Sequence, residues 1–123
     1  MSDKTSDEMT RLAIWQNIPY NDIVSWKVQI PKKVAKQILK LPEEIRSQAA
    51  LLAADIEANG PERVGWPHHS QLKAQKGQKK GVKRFHCHLK GGRTTYVACW
   101  TVTDQAIQLV EVYYVGTHEN APY

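Results

Sequence analysis

Residues 85–123, FHCHLKGGRTTYVACWTVTDQAIQLVEVYYVGTHENAPY, constrain the fold more than any other part of the chain. Three apolar-rich runs are separated by two turn signals, Lys90-Gly91-Gly92-Arg93 and Thr103-Asp104-Gln105. That pattern predicts three antiparallel strands joined as a meander. In the first run, 82–89, alternation puts Lys83, Phe85, Cys87 and Leu89 on one face and Arg84, His86 and His88 on the other. The apolar set must face a core, so Arg84, His86 and His88 are expected on the open side of the sheet. The second run, 95–102, gives Tyr96, Ala98 and Trp100 to one face and Val97, Cys99 and Thr101 to the other. The third, 106–115, is long and mostly apolar, as a central strand would be. Its Tyr113-Tyr114 pair is expected to put one aromatic on each face.

The upstream half reads as a scaffold for this sheet. Residues 24–30 alternate apolar and polar and predict a strand, with Trp26, Val28 and Ile30 on one face. Pro31 ends it and suits the start of a helix over 32–40, whose Val34, Ala35, Ile38 and Leu39 share a side. Leu41-Pro42 makes a tight link, and Glu43 and Glu44 complement the dipole of a second helix reaching residue 58. Ile45, Ala49, Leu52 and Ile56 recur there at helical spacing, and Asn59-Gly60-Pro61 stops it. Residues 60–81 are then a long connection rich in lysine. The expected fold is α+β: an N-terminal strand, an α-helical hairpin, and a three-stranded antiparallel meander packed on the helices. Residues 1–23 read as an N-terminal extension, frayed or partly helical around Met9, Leu12, Ala13 and Trp15, and residues 24–123 as one domain.

Charge is concentrated rather than spread. Residues 63–103 carry nine Lys or Arg and no Asp or Glu, whereas residues 1–62 carry eight basic and nine acidic side chains. Such a block attracts a polyanion such as nucleic acid, or an acidic protein partner. Lys73, Lys76, Lys79 and Lys80, interspersed with Gly77 and Gly81, suit a basic flap on a phosphate backbone. No apolar run is long enough to span a bilayer and no signal peptide is evident, so a soluble, cytoplasmic protein is expected. Cys87 and Cys99 match no zinc or redox spacing and read as small buried thiols, with a disulfide between neighbouring strands left open. The adjacent His68-His69 lacks Cys or carboxylate partners at ligand spacing, so no metal site and no cofactor is expected.

Read in order, these elements resemble the RelE/ParE superfamily of bacterial toxins, and more the RNA-cleaving RelE branch. The likeness rests on the first strand, the helical hairpin linked by Lys40-Leu41-Pro42, the basic loop with Leu72-Lys73, the meander, and the ending Val115-Gly116-Thr117-His118 followed by Tyr123. It covers roughly residues 25–123. The resemblance implies the toxin of a type II toxin–antitoxin pair. Such a toxin enters the ribosomal A site and cleaves mRNA there, and its partner is an antitoxin that wraps the basic surface. It also implies which positions form the site: His86 and His88 on the sheet, His118 after the Val-Gly pair, and Tyr123. The family often carries an Arg-x-x-Tyr pattern near the start of the third strand, where this chain has Tyr96-Val97-Ala98-Cys99-Trp100.

Those residue types suit metal-independent RNA cleavage. A base must take the 2′-OH proton, an acid must protonate the leaving 5′-oxygen, and cations must hold the charge building on phosphate. Histidine serves the first two near neutrality; Arg and Lys serve the third. His86, His88 and His118 are the candidate acid and base, with Tyr123 stacking on a base or positioning the 2′-OH. Lys73, Lys76, Lys79, Lys80, Arg84 and Arg93 are the candidate phosphate ligands. Two alternatives stand beside this reading: a gyrase inhibitor of the ParE kind, and a non-catalytic RNA-binding module on the same fold.

Overall fold

The computed structural model describes residues 26–73, 77, 82–90 and 92–123. The expected N-terminal helix and Lys76, Lys79 and Lys80 lie outside the described residues. The fold is α+β, with two helices on one face of an open, mixed five-stranded sheet. The elements are β1 (Lys27–Gln29), α1 (Lys32–Leu39), α2 (Glu43–Asn59), β2 (Ser70–Leu72), β3 (Arg84–Leu89), β4 (Tyr96–Asp104), β5 (Leu109–Thr117) and a 3-10 turn at His118–Asn120.

The sheet order is β1-β5-β4-β3-β2, with β1 parallel to β5 and the remaining pairs antiparallel. The expectation of a three-stranded sheet is therefore corrected to five strands. β3, β4 and β5 form the interior, β1 extends it beside β5, and β2 extends it beside β3. β2 is drawn from the connection read as unstructured. Its three residues are too short to show a period of two, and they become a strand only because β3 offers a free edge.

The core lies between α2 and the sheet. Ile45, Ala49, Leu52 and Ile56 bury one stripe of α2 against Phe85, Cys87, Leu89, Ala98, Trp100, Val110, Val112 and Val115. Two apolar expectations fail at element ends. Leu39 is 69% exposed, because the buried side of α1 runs through Val34 and Ile38 and leaves the next position rotated outward. Ile30 is also exposed, beyond the last paired residue of β1.

A bulge in β5 changes the other face. Cys99 pairs with Tyr114 but Trp100 pairs with Val112, so Tyr113 is an extra residue. Val112 and Val115 both reach the core, while Tyr113 and Tyr114 both turn to the side away from the helices. This corrects the expectation of one tyrosine per face. Cys87 and Cys99 occupy opposite faces, since Cys87 pairs with Ala98 and Cys99 with His86. Their Cβ vectors point apart and no disulfide can join them. Burial pushes the Cys87 thiol up to about 12 and the Cys99 thiol up to about 11.

Tyr114 folds along β5 over Gly116, and its hydroxyl donates to the Thr117 carbonyl at 2.7 Å. A Cβ at Gly116 would stand 2.6 Å from that hydroxyl oxygen. Gly116→Ala is therefore expected to displace Tyr114 and cost about 1 kcal/mol, the net worth of the lost hydrogen bond. Urea unfolding checks this. In a Tyr114→Ala background the same substitution is expected to add little, because nothing is left to collide with.

Candidate active site

β3 presents His86 and His88 at alternate positions on the side away from the helices. The 3-10 turn after β5 adds His118, whose backbone N–H donates to the Thr95 carbonyl at the start of β4. Tyr123 returns toward both. Ring centroids lie 5.9 Å apart for His86 and His88, and 5.5 Å for His88 and His118. Tyr123 stands 5.3 Å from His86 and 5.8 Å from His118. The four residues singled out from sequence thus share one small patch.

Two further residues join them. His68 stacks on His88 with centroids 4.3 Å apart and planes inclined by 29°. Ser70 lies opposite His86 in the β2–β3 ladder, and its Oγ is 3.0 Å from His86 Nδ1. Sequence reasoning set His68 aside together with His69. Only the pairing of β2 with β3 brings it beside His88, and no local pattern announces that pairing.

The loop carrying His68 is tied down at several points. Gly60 ends α2 at φ 93°, a left-handed conformation that glycine adopts without a steric penalty. The Trp100 indole N–H donates to the Pro61 carbonyl at 2.9 Å. Asp55 on α2 accepts from the Trp66 indole at 2.8 Å and from Arg63 at 3.0 Å. These contacts lower the Asp55 pKa, the Trp66 hydrogen bond most of all. The His88 N–H then donates to the Pro67 carbonyl at 2.8 Å. His68 itself sits at φ 52°, where a side chain other than glycine is uncommon. The next residue, His69, turns the other way and stacks on Phe85 and Trp100.

The cations are arranged differently from the histidines. Arg84 was expected to project from the open face, but it is only 4% exposed. Its guanidinium donates to the Lys73 carbonyl at 2.8 Å and to the Tyr113 hydroxyl at 3.1 Å, and its Nε is buried without a partner. The reason is the bulge, which turns Tyr113 onto the same face as Arg84. Lys73 is exposed just past β2, at the Arg84 end of β3. Arg93 is exposed in the β3–β4 turn, two residues before Thr95 and hence at the His118 end. Exposed cations therefore stand toward both ends of the histidine patch.

The protonation states favour base chemistry. Burial lowers the His86 pKa most; nearby His118 and His68 lower it further, and a hydrogen bond with Ser70 opposes them. Burial also leads for His88, with His68, His86 and His118 adding like-charge repulsion. Both rings are thus held neutral near pH 7, able to accept a proton. Among the described residues, no group of three or more His, Cys, Asp or Glu is placed to hold a metal ion. No helix among them is long and apolar enough to cross a membrane.

Compared with known proteins, the chain matches no family, no curated sequence and no solved structure.

The depressed histidines predict a pH dependence of stability. His69, His86 and His88 all have folded pKa values below the ordinary 6.5, chiefly through burial. Below 6.5 the unfolded chain takes up protons that the folded chain refuses, so stability falls with falling pH until the folded values are passed. Asp55 acts only below its ordinary 3.8. The urea midpoint is therefore expected to drop between pH 7 and pH 5, and the slope to shrink in a variant lacking His69.

Proposed function

We propose that this chain is the toxin of a type II toxin–antitoxin system, with a RelE-like arrangement of helices and meander, and that it blocks translation by cutting mRNA on the ribosome. The observation that carries the reading is the meeting of His86, His88, His118 and Tyr123 on one face of the sheet. Base and acid must stand within reach of the same phosphodiester, and these residues come from separate parts of the chain to do so.

In this scheme one of the two neutral sheet histidines, His86 or His88, takes the proton of the 2′-OH. The 2′-oxygen bonds to phosphorus, the bond from phosphorus to the 5′-oxygen breaks, and His118 gives that oxygen its proton. Lys73 and Arg93 hold the phosphate charge, joined by the remaining lysines of the basic flap. Tyr123 stacks on a base or orients the 2′-OH. The reaction draws on no metal or cofactor. An antitoxin with an acidic or amphipathic segment would cover the basic surface, and the setting would be the cytoplasm.

Primer extension on a translated reporter mRNA, after brief induction, tests this. Discrete in-frame breaks that vanish in His118→Ala are expected. Growth arrest with intact mRNA would point instead to a gyrase inhibitor. One observation favours a further reading, an RNA-binding module without cleavage: the Arg84 guanidinium is engaged inside the protein, and no Arg lies within 96–100 to replace it. Intact mRNA with normal growth would support that reading.

A further inference from the structure

We propose that His68 is a positioning residue of the cleavage site, whose ring holds the His88 imidazole in place and keeps it available as the base. The inference rests on the cleavage reading for its consequence, and on geometry for its content. His68 makes the closest ring stack of the histidine patch, 4.3 Å from His88. Its backbone is held at φ 52° on a loop braced by the Trp66–Asp55, Trp100–Pro61 and His88–Pro67 hydrogen bonds. Left-handed backbone at a residue with a large side chain persists only where its surroundings impose it, and such positions cluster at functional sites. Here the surroundings impose a conformation that delivers one ring, His68, onto another, His88.

The groups around His88 make the effect directional. His86 lies two residues back on the same strand face, and Lys90 is two residues ahead. His118 approaches from the 3-10 turn, with Tyr123 beyond it. Val97 is the paired residue on β4, with Gly116 beyond it on β5. None of these is a carboxylate. Covering one face of His88 with His68 therefore excludes water without supplying a counter-charge, and a proton on either ring repels a proton on the other. The lowered proton affinity of His88 includes this contribution from His68. A base that stays neutral as the pH drops slightly below neutrality keeps working there.

Two variants separate the parts of the effect. His68→Asn suits the left-handed backbone and removes the ring; His68→Phe keeps a ring and removes the ionisable nitrogens. The titration of each histidine is followed by NMR in the full chain. His88 is expected to titrate at higher pH in His68→Asn, nearer 6.5, and to move less in His68→Phe. In a cell-free translation reaction, His68→Asn is expected to cut mRNA roughly ten- to hundredfold more slowly, as a misplaced reacting group does. The acid limb of its pH profile should move upward, while His68→Phe, which keeps His88 covered, should leave that limb nearer its wild-type position; urea unfolding of both variants separates this from a general loosening that would also expose His88. An unchanged His88 titration in both variants overturns the inference. A shifted titration in a chain that cleaves no mRNA even as wild type supports the His68–His88 coupling and refutes the nuclease reading instead.

Discussion

Replacing His118 by alanine is expected to slow mRNA cleavage by about 10²- to 10⁴-fold, the usual contribution of a positioned acid or base. His118 is exposed on a short turn, so the same change should leave stability within about 0.5 kcal/mol. Loss of activity with an unchanged unfolding curve would therefore report chemistry. His88→Ala is expected to match it, because His88 is the ring that contacts His68, His86 and His118 alike. If His88 and His118 act on the same phosphodiester, the double variant should be hardly worse than either single one, as residues working as a unit are strongly non-additive. Full cleavage by His86→Ala, His88→Ala and His118→Ala alike would remove the constellation from consideration. The new RNA ends supply an independent check: attack by a 2′-OH leaves a 2′,3′-cyclic phosphate on one fragment and a free 5′-hydroxyl on the other.

Trp100→Ala is expected to be the most damaging core substitution, costing about 3–5 kcal/mol. Trp100 is fully buried, stacks on Phe85 and His69, and gives its indole N–H to Pro61. A loss of this size is a large fraction of the ~5–15 kcal/mol that holds a domain of this size folded. The substitution also frees the Pro61 carbonyl and loosens the loop that carries His68, so activity should fall even where the fold survives. Trp100→Phe keeps most of the packing and loses the indole hydrogen bond, and should cost about 1–2 kcal/mol. Chemical unfolding of the pair measures the difference. Equal midpoints for Trp100→Ala and wild type would mean that the core is centred elsewhere.

Much of the scaffold was legible in the order of residues. The stripe Ile45, Ala49, Leu52, Ile56 specifies a helix and its buried face, because 3.6-residue spacing is a local property. The alternation through Phe85, Cys87 and Leu89 likewise puts His86 and His88 on the other face. The Val115-Gly116-Thr117-His118 ending singles out His118 only through the family resemblance, and the reason for its glycine, the Tyr114 ring lying over it, is a matter of tertiary packing. Element ends were read less well. β5 begins at Leu109 rather than residue 106, because the Asp104 carboxylate accepts from the backbone of Ala106 and Ile107 and holds them in the turn.

By itself, then, the sequence determined an α+β chain with two helices, three interior strands, a basic middle and two histidines sharing one strand face. Each of these follows from periodicity or composition within a short window. Only the tertiary structure decided that Ser70–Leu72 is a strand, that His68 stacks on His88, that Tyr113 and Tyr114 share a face, and that Arg84 is buried rather than offered to a phosphate. Those four outcomes have one physical origin. Each depends on which residue of one segment lies opposite which residue of a distant one, and a bulge or an added edge strand shifts that register without leaving a mark on the local pattern.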